Sequence, residues 1–170
     1  MEKRHVISVL VENKPGVLAR VSGMFSGRAY NIHSLSVAPT LSPDVSRMTV
    51  VTYGSEAIIE QIIKQLRKLI NVIKVQDLTS GDYVDREMAL LRVKATAAKR
   101  ADVLRIVDIF RGKIVDIATD SMIVEITGGA GKIEAMIELL QPLGILELIR
   151  TGTVALPRGR KASRPSEPSE

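Results

Sequence analysis

The chain contains no cysteine and no tryptophan, and its only aromatic residues are three tyrosines and two phenylalanines among 170 residues. Without cysteine there is no disulfide framework and no thiolate metal site, and a reducing, cytoplasmic setting is expected. With so few aromatics, the core must be aliphatic. Only two histidines are present, His5 and His33. Neither has an imidazole partner at metal-ligand spacing, so no metal site is expected. No apolar run reaches membrane-spanning length. The apolar stretch after Met1-Glu2-Lys3-Arg4 is too short for a secretion signal and is interrupted by Ser8. These features predict a protein with no membrane association. The formal net charge of +5 owes part of its excess to Arg158, Arg160, Lys161 and Arg164, while the remaining charges are interleaved along helices. That distribution reads as solvated surface, so no nucleic-acid partner is expected.

Apolar periodicity divides the rest of the chain into a pattern that occurs twice. His5 to Glu12 reads as a strand, and Val17, Leu18, Val21, Met24 and Phe25 recur at helical spacing. Tyr30 to Ala38 and Ser46 to Tyr53 read as strands. Ile58 to Leu69 gives an amphipathic helix, and Val72 to Leu78 a further strand. After a short Ser80-Gly81-Asp82 linker the order restarts. Met88 to Ala95 is a strand, Val103 to Phe110 a helix, and Lys113 to Ala118 and Met122 to Thr127 are strands about a turn at Thr119-Asp120. Ile133 to Leu140 is a helix, and Leu146 to Ala155 a closing strand. Two βαββαβ orders predict an α+β chain of two tandem ferredoxin-like units, each with helices on one face of an antiparallel sheet. The expected boundaries are 1–79 and 84–157. Residues 158–170, rich in Pro, Ser, Arg and Glu, are expected to be disordered.

Most apparent motifs have ordinary explanations. Gly128-Gly129-Ala130-Gly131-Lys132 suggests a phosphate loop, but that loop needs glycine where Ile126 stands and Ser or Thr where Ile133 stands. A tight strand-to-helix turn is the reading kept. Asp116 and Asp120 flank a hairpin turn, where Asp is common. No nucleophile–base–acid set can be assembled, so no catalytic residue is assigned. An RNA-binding unit of the same strand order would need stacking aromatics on a central strand. Here Met48, Thr49, Val50 and Val51 occupy it, with Tyr53 only at its end.

The segment Asn13-Lys14-Pro15-Gly16-Val17-Leu18 is different. It joins a strand to a helix whose first-turn amides favour an anion. Glycine there lets the backbone approach a ligand, and Asn13 can both donate and accept hydrogen bonds. These are the elements of a site for a small carboxylate such as a free amino acid. Asn is also a good helix N-cap and Gly a common turn residue, and the residues alone leave both readings open.

Glu12-Asn13-x-Pro15-Gly16-Val17-Leu18-x-Arg20-Val21 resembles the ligand loop of ACT domains, which bind amino acids and regulate metabolic enzymes. Tyr30-Asn31-Ile32-x-Ser34-Leu35-x-Val37-x-Pro39 and Ser46-Arg47-Met48-Thr49 resemble the small regulatory subunits of acetolactate synthase (acetohydroxyacid synthase). So do Arg86-Glu87, Phe110-Arg111-Gly112-Lys113-Ile114-Val115-Asp116 and Ile149-Arg150-Thr151-Gly152. One departure is Ala29, where that family usually carries glycine. The resemblance implies two ACT-like units and no cofactor on this chain. It implies a catalytic large-subunit partner that holds thiamine diphosphate, Mg²⁺ and FAD, and valine or another branched-chain amino acid as feedback inhibitor. By matching position it makes Asn13, Gly16 and Asn31 the main ligand contacts, and Val17, Leu18 and Ala38 parts of the site wall. The site is expected at an interface between the ACT units of two chains, in a homodimer or larger assembly. The alternative within the same class is an amino-acid sensor acting on another enzyme or on a nucleic acid.

Overall fold

A computed structural model describes residues 2–159. Residues 160–170, most of the segment expected to be disordered, lie outside the described residues.

The first unit runs β1 (Lys3–Glu12), α1 (Val17–Ser26), β2 (Ser34–Pro39), β3 (Val45–Gly54), α2 (Glu56–Arg67) and β4 (Val72–Asp77). Its antiparallel sheet has the order β2-β3-β1-β4, leaving β2 and β4 at the edges. Period-two alternation sends Ile7, Val9 and Val11 of β1 and Met48 and Val50 of β3 to one face. There they pack against Val17, Val21, Met24 and Phe25 of α1 and Ile59, Ile62 and Leu66 of α2. Phe25 is the one aromatic in this fully buried set, so the core is aliphatic as the composition requires. Each fully buried Val, Leu, Ile or Phe side chain contributes about 1.5–3 kcal/mol. Ser55 caps α2 by accepting from the Ile58 amide at 3.4 Å. Glu56 at the start of α2 and Lys64 and Arg67 near its end complement the helix dipole.

The second unit repeats the plan with β5 (Tyr83–Lys94), α3 (Arg100–Ile109), β6 (Lys113–Ile117), β7 (Ser121–Gly128), α4 (Ala130–Leu140) and β8 (Ile145–Arg150). Its strand order is β6-β7-β5-β8, and Ala89, Leu91, Val93, Val103, Val107, Val124, Ile126, Ile133, Met136 and Leu140 share its core. The repetition reaches individual residues. The pairing of β1 with β4 shifts between Leu10 and Val11, and that of β5 with β8 shifts between Arg92 and Val93. Counted from these bulges, buried His5 corresponds to buried Glu87, and Asp77 to Arg150. His5 Nδ1 lies 3.1 Å from Asp77 Oδ2, and Arg150 Nε donates to Glu87 Oε1 at 2.6 Å. The same cross-strand pair is thus built twice, with the acidic and basic side chains exchanged between the strands.

The structure divides the single closing strand expected over Leu146 to Ala155. β8 ends at Arg150, the chain bends at Thr151–Thr153 with Gly152 at φ +80°, and β9 (Val154–Pro157) follows. β9 pairs with Tyr83–Arg86, the part of β5 that precedes the expected strand start at Met88. The resulting two-stranded ribbon lies on the outer face of the first sheet. Ala155 and Tyr83 cluster with Val6, Val51 and Leu78 there, and Arg4 Nη2 donates to Thr153 Oγ1 at 3.0 Å. Arg158 is tied down as well: its amide donates to the Asp82 carbonyl at 2.9 Å.

Candidate functional site

Lys14-Pro15-Gly16-Val17 forms a turn that its sequence dictates. Proline presets φ for the second position of a type II turn, and the third position requires φ near +80°. Gly16 sits there, at φ +84° and ψ −8°. The closing hydrogen bond runs from the Val17 amide to the Lys14 carbonyl at 3.4 Å. A Cβ on Gly16 would meet nothing within 4 Å. Glycine is therefore needed for its dihedral angle, and the space in front of it is open.

Gly16 is also the N-cap of α1, and no side chain caps the helix. Among the described residues, the amides of Gly16, Leu18 and Ala19 make no backbone hydrogen bond. Three donors at the positive end of a helix, all on exposed residues, thus lack a backbone partner, an arrangement that suits a carboxylate. The Val17 amide, expected among those donors, closes the turn instead. The Val17 side chain, expected in the site wall, is in the core at 4 % exposure, because position 17 begins the buried stripe of α1. Leu18, at 45 % exposure, is free to line a site.

Asn13 does not cap the helix, which excludes one of the two readings left open for it. Its side-chain amide donates to the Pro43 carbonyl at 2.8 Å, and its backbone amide donates to the Asp44 carbonyl at 2.7 Å. The residue fastens the β1–α1 turn to the β2–β3 loop. With Nδ2 used in this way, Oδ1 remains as an acceptor at an exposed position, as an ammonium group would require. Glu12, just before the turn, accepts from Asn71 Nδ2 at 2.7 Å and lies 3.0 Å from Lys14 Nζ. The Asn71 bond first, and then Lys14, hold its carboxyl below the usual carboxylate range. Neither Asn71 nor Pro43 is among the residues expected at the site; both act through contacts across the fold that no local pattern announces.

The structure does not bring all the expected site residues together in one chain. The Asn31 carbonyl accepts from Thr52 Oγ1 at 2.6 Å, and Thr52 pairs with His5 near the start of β1. Asn13 follows the other end of that strand. Eight residues of strand separate His5 from Asn13, about 26 Å, so Asn13 and Asn31 of one chain cannot share a small ligand. Ala38 lies apart from the turn of its own chain. It pairs with Arg47 on the sheet face opposite the helices and lines an open trough of about 880 Å³ with Pro39, Leu41 and Leu156. Its side chain points away from the face on which α1 lies.

The second unit lacks the ligand turn. At the corresponding strand end, Arg100 donates to the carbonyls of Ala95, Ala118 and Thr119, and the chain carries Thr96-Ala97-Ala98-Lys99 with no proline or glycine. The Gly128-Gly129 turn is the tight strand-to-helix connection expected, with Gly129 as N-cap of α4 and Lys132 Nζ bonded to the Thr127 carbonyl at 3.0 Å. Among the described residues no cluster of three or more His, Cys, Asp or Glu could hold a metal. No described helix is long and apolar enough to cross a membrane.

Comparison with known proteins agrees with this architecture. Residues 7–74 match the model of the AHAS small subunit-like ACT domain, and residues 86–159 match that of the small subunit of acetolactate synthase. The chain is 51% identical over 158 residues to a probable acetolactate synthase small subunit of Archaeoglobus fulgidus, covering 93% of this chain and 99% of that one. It is 49% identical over 157 residues to the acetolactate synthase small subunit of Aquifex aeolicus, covering 92% and 82% respectively. The crystal structure of the acetolactate synthase small subunit from Thermotoga maritima superposes with a TM-score of 0.84 at 41% identity, covering 93% of this chain and 99% of that one. The repeated units, the proline–glycine turn at the head of α1 and these relatives together place the chain in the family of acetolactate synthase small subunits.

Proposed function

We propose that this chain is a non-catalytic regulatory subunit. It binds valine, or a related branched-chain amino acid, and sets the activity of a catalytic large subunit that carries thiamine diphosphate, Mg²⁺ and FAD. The observation that carries this reading is the Lys14–Val17 turn, with free amides at Gly16, Leu18 and Ala19 and the exposed Asn13 side chain beside them. The amides take the ligand carboxylate, Asn13 Oδ1 takes the ammonium, and Leu18 offers an apolar wall.

The distance between Asn13 and Asn31 calls for a second copy. β2 has β3 on one side and a free edge on the other, with Val37 41 % exposed along it. Antiparallel pairing of two β2 edges about a two-fold axis sets the Ser34 end of each against the Pro39 end of the other. Asn31 of one chain then approaches the turn of its partner. So few contacts support micromolar to millimolar affinity, about −8 to −4 kcal/mol. Discrimination among branched side chains should be weak, since one methylene contributes about 1–3 kcal/mol.

The test is reconstitution with the cognate large subunit. The chain alone should turn over no pyruvate when all three cofactors are supplied. Its addition should raise large-subunit activity, and valine should then lower it. Turnover by the isolated chain, or inhibition indifferent to every branched-chain amino acid, would refute the proposal.

A further inference from the structure

We infer that Asn71 is a positioning residue for the amino-acid turn, an inference that rests on the function proposed above. It lies directly before β4, half-buried, and spends its polar groups on the segment around the turn. Its backbone carbonyl accepts from the Glu12 amide at 2.9 Å. Its Nδ2 donates to Glu12 Oε2 at 2.7 Å, and its Oδ1 accepts from Arg20 Nη1 at 2.7 Å. An anion on one side and a cation on the other fix the orientation of the amide.

Glu12 precedes the Lys14–Val17 turn and Arg20 follows it on α1. No hydrogen bond or ion pair joins these two side chains among the described residues; Asn71 is the bridge that closes a clasp around the turn. The clasp holds the end of β1 and the first turn of α1 at a fixed separation. Between them the chain must hold Gly16 in its left-handed conformation at the head of α1, where three amides lack a backbone partner. Opening the clasp frees the ends of the turn, and a ligand must then supply the ordering that the protein now supplies in advance. Asn71 touches no ligand in this account; it acts through Glu12 and Arg20.

The polarity of the bridge supplies the test. Asn71→Asp keeps an acceptor for Arg20 but sets a carboxylate against Glu12. Glu12→Gln combined with Asn71→Asp restores a donor–acceptor pair with its direction reversed. Valine binding to the full-length chain is measured by calorimetry for the parent, for Asn71→Asp and for the double variant. The Gly16 amide resonance reports the turn in the absence of ligand. Asn71→Asp should weaken binding about tenfold and shift that resonance, and the double variant should recover to within about threefold of the parent. A purely structural contribution would move the melting temperature without this charge-specific rescue. Binding unchanged by Asn71→Asp, or a double variant no better than the single one, overturns the clasp while leaving the ligand site standing. A parent chain that binds no valine, leucine or isoleucine overturns the site and the clasp together.

Discussion

Ala29 and Arg111 adopt left-handed backbone angles that favour glycine, at φ +55° and +54°. Each follows the first helix of its unit, and in each case the next amide reaches back five residues, Tyr30 to Phe25 at 3.0 Å and Gly112 to Val107 at 2.8 Å. The helix terminus is therefore kept at Ala29 without a glycine, and the departure costs strain rather than shape. Ala29→Gly should raise stability by about 1 kcal/mol, or about 2–4 °C in a thermal melt; a lower melting temperature would count against the strain. Arg150 makes a different demand. It bonds Glu87 at 2.6 and 3.1 Å, and Glu87 is only 5 % exposed. Arg150→Met leaves that carboxylate without its cation and should cost about 3–5 kcal/mol in chemical denaturation, whereas Glu87→Leu with Arg150→Met should recover most of the loss. Glu12 brings a pH dependence. Its carboxyl titrates below the ordinary value because of Asn71 and then Lys14, so its contribution to stability is present above the ordinary carboxylate value and is lost as pH falls through the depressed one. Carboxyl-carbon NMR should find the Glu12 midpoint below the usual range in the parent and higher after Asn71→Ala. An unmoved midpoint would remove Asn71 as the cause.

The elements that periodicity revealed are those whose burial is set within their own unit. Val17, Val21, Met24 and Phe25, or Ile59, Ile62 and Leu66, face one sheet, so their spacing records that face. The ribbon was not legible in this way. Leu146 to Ala155 reads as one apolar strand, and nothing local shows that Gly152 turns the chain out of the second sheet at φ +80°. Tyr83–Arg86 gains its strand character only from β9, some seventy residues later in sequence. The site followed the same rule. Proline and glycine at 15 and 16 write a type II turn into the sequence, whereas the roles of Pro43 and Asn71 depend on how the loops meet. Gly152→Ala tests the bend. The added Cβ would sit 3.4 Å from the Ser34 side chain, an ordinary contact, so its cost should come from the backbone, about 1–2 kcal/mol. A neutral result in thermal unfolding would show that the bend tolerates a side chain.

At the scale of the whole molecule, the ribbon makes the first unit dependent on the second. Val6 and Val51 have no exposure and Leu78 only 2 %, yet all three share a cluster with Ala155 of β9. A chain ending at residue 79 would uncover part of that apolar face and should associate or bind a hydrophobic dye at concentrations where the full chain does not; a monodisperse, dye-silent fragment would argue against the dependence. The free β2 edge has a more distant consequence. If Asn13 and Asn31 serve one ligand from opposite chains, a chain bearing Asn13→Ala and another bearing Asn31→Ala are each defective by themselves. Their mixed dimer nevertheless contains one site that lost both asparagines and one that lost neither. Random exchange in an equal mixture should then restore about a quarter of the parental valine sites. Such complementation between two inactive partners would reveal shared ownership of the site without any structure of the dimer.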